Sequence, residues 1–171
     1  LLVRSATTAR KELIDSCPGL KIIGRGGVGM DNIDVEYARE KGLSVINTPA
    51  ASSSSVAELV FAHLFGGVRF LYDSNRNMPL EGESNFKGLK KSYANGIELS
   101  GKTLGIIGFG RIGQEVAKIG LGVGMNVIAT DKYMDVAEIE VSLFNGASLK
   151  VSIETTTMEH VLEQSDFISL H

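Results

Sequence analysis

The sequence predicts an α/β protein built on parallel sheets, and three observations carry that expectation. Short apolar runs rich in β-branched residues alternate with helix-forming stretches along the 171 residues. Two of these runs lead straight into G-x-G-x-x-G turns, Gly24-Arg25-Gly26-Gly27-Val28-Gly29 and Gly108-Phe109-Gly110-Arg111-Ile112-Gly113. The second turn is followed by a helix-length segment, a further apolar run and an acidic residue, Asp131. Strands alternating with helices throughout imply parallel strands joined by right-handed crossovers.

In chain order, Leu1-Leu2-Val3 reads as a strand running into Arg4-Ser5, and Thr7 or Thr8 is placed to cap a helix to about Ser16, ended by Pro18-Gly19. Leu20-Lys21-Ile22-Ile23 is the next strand, and the first glycine turn follows it. A short helix over about Val35–Lys41 stops at Gly42, and the strand Leu43-Ser44-Val45-Ile46 ends in Asn47-Thr48-Pro49. Ser55-Val56-Ala57-Glu58 has the pattern of a capping box at the end of the serine run. The helix it opens, to about Arg69 or Tyr72, is apolar almost all round, so it is expected to be buried between domains or at a subunit interface. His63, in its middle, is expected to be a hydrogen-bonded core or interface residue.

From Asp73 to Leu99 the periodicity fades among Asn, Gly, Ser and Lys, which reads as a crossover between two domains, with Lys87, Lys90 and Lys91 in solvated loop. Thr103–Ile107 and Met125–Thr130 are the strands flanking the second glycine turn. No clear period is visible over Glu138–Lys150. Val151-Ser152-Ile153 reads as a short strand, Thr156-Thr157-Met158-Glu159 as a second capping box, and Phe167–Leu170 as a last strand. The resulting organisation is a first domain over 1–72, a linker over 73–99 and a second domain over 100–171.

Composition excludes several function classes. Charged residues are 22% and hydrophobic residues 43%, and 17 basic against 20 acidic side chains leave a net charge of −3. Such a balance argues against nucleic acid or an anionic membrane surface as partner. The longest apolar run, Leu59–Val68, falls well short of the roughly 20 residues a bilayer demands. A single cysteine, Cys17, has no internal partner, so it is expected to be a core residue at a helix end, and a reducing cytosol is the expected compartment. Scattered His63, His160 and His171 do not suggest a metal cluster, and neither C-x-x-C nor H-E-x-x-H occurs. His160 reads as a surface residue, and His171, at a strand end, as cofactor-adjacent or packing. The chain opens and closes inside strand-like segments, which is the pattern expected of a piece of a longer protein.

The second glycine turn has the full context of a dinucleotide cradle: strand before, helix after, acid at the next strand end. Gly108 permits the tight turn, Gly110 lets backbone approach a pyrophosphate, and Gly113 lets helix pack closely on strand. The first helical amides, around Arg111 and Ile112, would face the phosphates. Asp131 would accept the adenosine ribose hydroxyls and repel a 2′-phosphate, which favours NAD over NADP. The first turn lacks an acid at its following strand end. Its exposed amides, Gly27-Val28-Gly29, suit a small anion such as a carboxylate.

Across nearly its whole length the chain resembles the D-isomer-specific 2-hydroxyacid dehydrogenases, and most closely their D-3-phosphoglycerate dehydrogenase branch. The matching stretches are Val3-Arg4-Ser5-Ala6-Thr7, Gly24 through Asp34, Asn47-Thr48-Pro49 with Ser55-Val56-Ala57-Glu58, the Gly108–Gly113 turn with Asp131, and Ser165 through His171. The resemblance implies two Rossmann-like domains around a cleft, both incomplete here, with the long helix crossing between them and contributing to a homodimer or homotetramer. It implies NAD as cofactor and a small anionic 2-hydroxy acid as substrate, with Arg4, Ser5 and the Gly27-Val28-Gly29 loop at the substrate site. Hydride transfer at C2 follows, with 3-phosphoglycerate oxidised to 3-phosphohydroxypyruvate as the entry to serine synthesis. The family's catalytic arginine, glutamate and histidine match nothing up to His171, so no catalytic acid or base is assigned. One departure is Ser52, where the branch has a substrate-binding asparagine. Rival classes are an NAD-sensing corepressor of the same fold and a SAM-dependent methyltransferase; the latter leaves the Arg4–Asp34 matches unexplained.

Overall fold

The computed structural model describes residues 1–171 and divides into two compact units, Leu1–Ser53 and Ser54–His171. The long helix after the serine run therefore falls almost wholly in the second unit.

In the first unit, β1 (Leu2–Val3), β2 (Ile22–Arg25) and β3 (Ser44–Asn47) form a parallel sheet in that order, with α1 (Lys11–Asp15) and α2 (Val35–Glu40) as the connections. Val3 lies opposite Arg25 and Ile23 opposite Val45. Side chains alternate across such a sheet. Val3 and Ile23 accordingly enter a core with Ala9, Ile14, Ile33, Ala38 and Leu43, while Leu2, Ile22 and Ile46 on the other face stay open.

Helix α1 starts later than the Thr7 or Thr8 cap requires. Ala9 is held extended by a parallel bridge to Ile33, its amide donating to the Asn32 carbonyl (2.9 Å) and its carbonyl accepting from Asp34 (2.9 Å), so winding begins only at Lys11. Cys17, just past this helix, is exposed rather than part of the core. Helix α2 ends as expected. The Gly42 amide donates to Arg39 and the Leu43 amide to Ala38, each at 2.9 Å, which satisfies carbonyls the last turn would otherwise leave free.

The second unit holds α3 (Ser53–Val68), α4 (Leu71–Ser92), β4 (Thr103–Ile107), α5 (Arg111–Val123), β5 (Asn126–Thr130), β6 (Val136–Ser142), β7 (Ser148–Glu154), α6 (Met158–Gln164) and β8 (Phe167–Leu170). Its parallel sheet has the order β5-β4-β8, with Gly105 paired to Ile128 on one side and Ile168 on the other. Leu104, Ile106, Phe109, Val116, Ala117 and Ala129 are fully buried around it.

The structure corrects several expectations for this unit. Helix α3 begins two residues before Ser55, because the Ser53 amide already turns back to the Ala50 carbonyl (3.3 Å), so Ser55 lies inside the helix and cannot cap it. Nor is α3 buried all round. Ala57 and Phe61 are buried, but Leu59 and Phe65 are exposed, since a helix against one surface covers only one stripe.

The stretch read as loop over 73–99 is largely helical. α4 carries Pro79 and non-helical dihedrals at Asn85, and it is tied down by Asn77 donating to the Tyr93 hydroxyl (2.8 Å) and by the tilted Phe70–Tyr93 ring pair. Lys87, Lys90 and Lys91 thus belong to a helix.

The region without visible period is an antiparallel hairpin, β6 with β7, so the parallel pattern does not run throughout. Ala137, Ile139 and Val141 face inward opposite Ile153, Val151 and Leu149, and Glu138, Glu140 and Lys150 face out. The Asn145 side chain accepts from the Ala147 amide to close the turn. The second capping box is displaced by one residue: Thr157, not Thr156, caps α6 by accepting from the His160 amide (3.2 Å).

No single helix is long and apolar enough to cross a membrane, and the α3–α4 pair bends by 54°.

Candidate functional site

The dinucleotide-type cradle forms where β4 turns into α5. Gly108 has φ of +91°, a region in which a side chain is strained. An added Cβ there would also collide with the His171 carbonyl oxygen at the end of β8. Gly113 lies one turn into α5, and a Cβ on it would meet the Gly108 carbonyl oxygen and stand 3.1 Å from Ile106. Those two glycines are required by the protein's own packing. Gly110 differs: it precedes the helix in extended conformation, and its Cβ position has no neighbour within 4 Å. The space over Gly110 is thus open to a ligand.

Gln114 is the first residue whose amide bonds within α5, to the Gly110 carbonyl (3.0 Å), which leaves the amides of Arg111, Ile112 and Gly113 as free donors. Their positive end of the helix dipole suits a phosphate. Asp131, at the end of β5, is oriented by two backbone donors, the Phe109 amide to Oδ2 (2.7 Å) and the Tyr133 amide to Oδ1 (2.8 Å). Those amides, that of Tyr133 foremost, hold its carboxyl below the usual carboxylate range. Each oxygen keeps a lone pair for a sugar hydroxyl. A depression of about 370 Å³ lies here, lined by Gly108, Thr130, Asp131, Tyr133, Met158 and His171 among others. These features fit a dinucleotide: open glycine, free helix amides, fixed carboxylate.

The sign of the pH effect follows. A carboxyl whose folded pKa is depressed adds stability that is complete above its unfolded pKa of about 3.9 and vanishes as pH falls through the lower folded value. The melting-temperature gap between the parent and Asp131→Asn should therefore be constant above about pH 5 and shrink in acid. A gap independent of pH in thermal melts followed by circular dichroism would contradict this.

His171 lines that depression, with its Nε2 2.8 Å from the Ser169 hydroxyl, and burial lowers its pKa. His160 is exposed on α6. His63 is not a core residue; it is exposed on α3 at the rim of an apolar pocket of about 450 Å³ with Leu64, Val68, Phe70, Ile97 and Phe167. No group of three or more His, Cys, Asp or Glu side chains is disposed to hold a metal.

The first glycine turn lies at the carboxyl end of the other sheet. A concavity of about 490 Å³ there has Leu2, Gly24 and Ile46 as apolar floor and Arg4, Thr7, Asn47 and Thr48 as polar rim. Arg4 is exposed and makes no ion pair, and Ser5 is engaged only at 3.5 Å, by Arg25. Of the three loop amides expected to face a carboxylate, that of Gly27 is spent internally on the Arg25 carbonyl (3.1 Å), a tight turn that removes it from the set. Val28 and Gly29 have no protein acceptor for theirs. The Val28 carbonyl accepts from the Asn47 side chain (2.7 Å), and the Thr48 amide donates to the Gly27 carbonyl (3.1 Å), so β3 fixes the loop.

Two residues escaped sequence reading. Asn32 is buried at 6% exposure, with Nδ2 donating to the carbonyls of Arg4 (2.9 Å) and Thr7 (2.6 Å). Its Oδ1 accepts from Arg25 at 2.6 Å, and Arg25 also reaches Asp31 (3.1 Å). Within the motif Arg25 occupies an unspecified position, and Asn32 reads as one of several cap-type side chains. Only the return of the chain to β1 shows what they join.

A Rossmann-type cradle with an acid-anchored turn in one unit, and an anion-type loop in a second parallel unit of the same chain, define the class of dinucleotide-dependent α/β dehydrogenases. The chain belongs to the D-isomer specific 2-hydroxyacid dehydrogenases: the profile of that family's catalytic domain matches residues 1–166. It is 44% identical over 171 residues to a hydroxypyruvate reductase of Thermotoga maritima, covering all of this chain and 50% of that protein. It is 43% identical over 173 aligned residues to a D-3-phosphoglycerate dehydrogenase of Methanocaldococcus jannaschii, covering all of this chain and 30% of that protein. Among solved structures, the NAD⁺-bound 3-phosphoglycerate dehydrogenase of Entamoeba histolytica superposes with a TM-score of 0.66 at 30% identity, over 99% of this chain and 45% of that one. The chain thus spans half or less of the length of these relatives.

Proposed function

We propose that this chain supplies the NAD cradle and the substrate-carboxylate loop of a D-2-hydroxyacid dehydrogenase whose substrate is 3-phosphoglycerate. The observation that carries this reading is the division of labour between the two glycine turns. One has free helix amides and a fixed carboxylate at the next strand end; the other has the unpaired amides of Val28 and Gly29, in the same unit as the exposed Arg4, which makes no ion pair. In this reading residues 1–72 serve the substrate, 73–99 connect, and 100–171 bind NAD.

NAD supplies the hydride acceptor for C2 of the hydroxy acid. Arg111, Ile112 and Gly113 offer amides to its pyrophosphate, and Asp131 takes the ribose hydroxyls. Val28 and Gly29 hold the substrate carboxylate, which restricts the orientation of the hydroxy acid. Arg4 takes the phosphate, for which a guanidinium offers a bidentate fork, with Ser5 beside it. No residue of this chain is assigned the proton of the C2 hydroxyl. The exposed apolar side chains Leu59 and Phe65 on α3 and Leu71, Tyr72, Leu80 and Phe86 on α4 support a homo-oligomer. The exposed, unpaired Cys17 suits a reducing cytosol.

The test uses the full-length protein carrying this segment, with NADH formation followed by absorbance. The parent should prefer 3-phosphoglycerate to D-lactate. Arg4→Gln should raise KM for 3-phosphoglycerate about 10-fold to 100-fold, the worth of a charge-assisted hydrogen bond, and change that for D-lactate far less. An equal change for both acids would remove the phosphate assignment.

A further inference from the structure

We propose that Arg25, acting through Asn32, is a positioning residue that shapes the Val28–Gly29 amides into a carboxylate receptor; this rests on the carboxylate reading given above. The guanidinium is nearly enclosed, its side chain 11% exposed. Its bonds go to protein: Asn32 Oδ1 (2.6 Å), Asp31 Oδ1 (3.1 Å) and Ser5 Oγ (3.5 Å). Nε is out of solvent and has no acceptor, so this nitrogen offers nothing to a ligand.

The loop wraps this group closely. A Cβ on Gly27 would stand 3.4 Å from Arg25 Nε, and one on Gly29 would stand 3.8 Å from Nη1 and 2.9 Å from Asp31 Oδ1. Meanwhile Asn32 carries the same network to the carbonyls of Arg4 and Thr7. One planar guanidinium therefore fixes both the glycine loop and the backbone that carries Arg4 and Ser5. A rigid platform beneath two free amides is what a small carboxylate needs in order to bind without first ordering the loop.

Lysine keeps the charge but not the planar fork, so it cannot serve Asp31, Asn32 and Ser5 together. In the full-length protein, Arg25→Lys should raise KM for the 2-hydroxy acid about tenfold or more while kcat stays within about threefold. NAD affinity, read by quenching of protein fluorescence in the absence of substrate, should remain within about twofold. A purely structural role predicts the reverse, a loss of active protein with KM unchanged, and that result overturns the proposal. Should Arg25→Lys give too little folded protein, Arg25→Ala assayed with added guanidinium chloride decides. KM should fall back toward the parent value at tens of millimolar, roughly, as the cation refills the space, and no recovery counts against Arg25.

Val28→Pro, which deletes one receptor amide, separates this inference from the reading beneath it. If it raises KM and Arg25→Lys does not, only the role of Arg25 fails. If neither raises KM, the carboxylate reading itself is wrong.

Discussion

Gly108→Ala is expected to abolish measurable NAD binding and to destabilise the second unit by about 2–5 kcal/mol. Two costs add. A non-glycine residue held in the left-handed region loses about 1–2 kcal/mol, and here φ is +91°. The new methyl group would also press on the His171 carbonyl oxygen, a backbone atom of the adjacent strand that cannot swing aside, and overpacking of this kind costs about 1–3 kcal/mol. The clash forces β4 and β8 apart at the place where Phe109 must donate to Asp131, so fold and cofactor affinity fall together. Gly110→Ala provides the contrast. Its Cβ enters open space, so stability should hold or rise by up to about 1 kcal/mol through the unfolded state, while NAD affinity drops because the methyl stands where the pyrophosphate approaches. Urea unfolding and NAD titration of both variants make the comparison. If Gly108→Ala melts like the parent, the turn is more plastic than its geometry implies; if Gly110→Ala binds NAD normally, the open space over that residue is not the cofactor's.

That contrast shows what the sequence carried. The G-x-G-x-x-G spacing located the turn, the helix start and the acid, and β4, β5 and β8 fell where apolar runs predicted, because these elements are specified by local chemistry. The parts that were not legible depend on distant partners. Ala9 pairs with Ile33 across the unit, which delays α1 beyond its threonine caps. α4 is amphipathic only weakly and holds Pro79, Gly82 and Gly88, poor helix formers, yet Tyr93 and Phe70 hold it from outside the helix. The β6–β7 hairpin was legible in principle: Ala137, Ile139 and Val141 alternate with Glu138 and Glu140, and Asn145-Gly146 marks the turn. Over Glu138–Lys150 as a whole no period shows, because the window runs across the Asn145-Gly146 turn, where the alternation of one strand stops before that of the next begins. At the candidate substrate loop, the glycines announced exposed amides, but not that the Gly27 amide is consumed by the Arg25 carbonyl. Nor does any spacing rule connect Arg25 to Asn32 and back to Arg4.

Asp131→Ala should weaken NAD binding by about 1–3 kcal/mol, a factor of roughly 5 to 150. The carboxylate does two things in one place. It accepts from the Phe109 and Tyr133 amides and so fixes the glycine turn to the end of β5; its remaining lone pairs are oriented by those same bonds toward the depression beside Met158 and His171. Alanine removes the ribose acceptor and leaves both amides without partners. Asp131→Asn retains one carbonyl oxygen and brings an N–H₂ group that can only donate, so it can serve one amide but not both; it should fall between alanine and the parent. Selectivity provides the second readout. Asp131 is ionised at neutral pH, as an aspartate ordinarily is, and the two backbone donors lower its pKa further; an ionised carboxylate repels a 2′-phosphate, so the preference for NAD over NADP should narrow in both variants, most in Asp131→Ala. Calorimetric titration with each dinucleotide distinguishes the possibilities. Unchanged NAD affinity would mean that Asp131 only ties the turn together, and an unchanged ratio with weakened affinity would mean that it holds the ribose without reading the 2′ position.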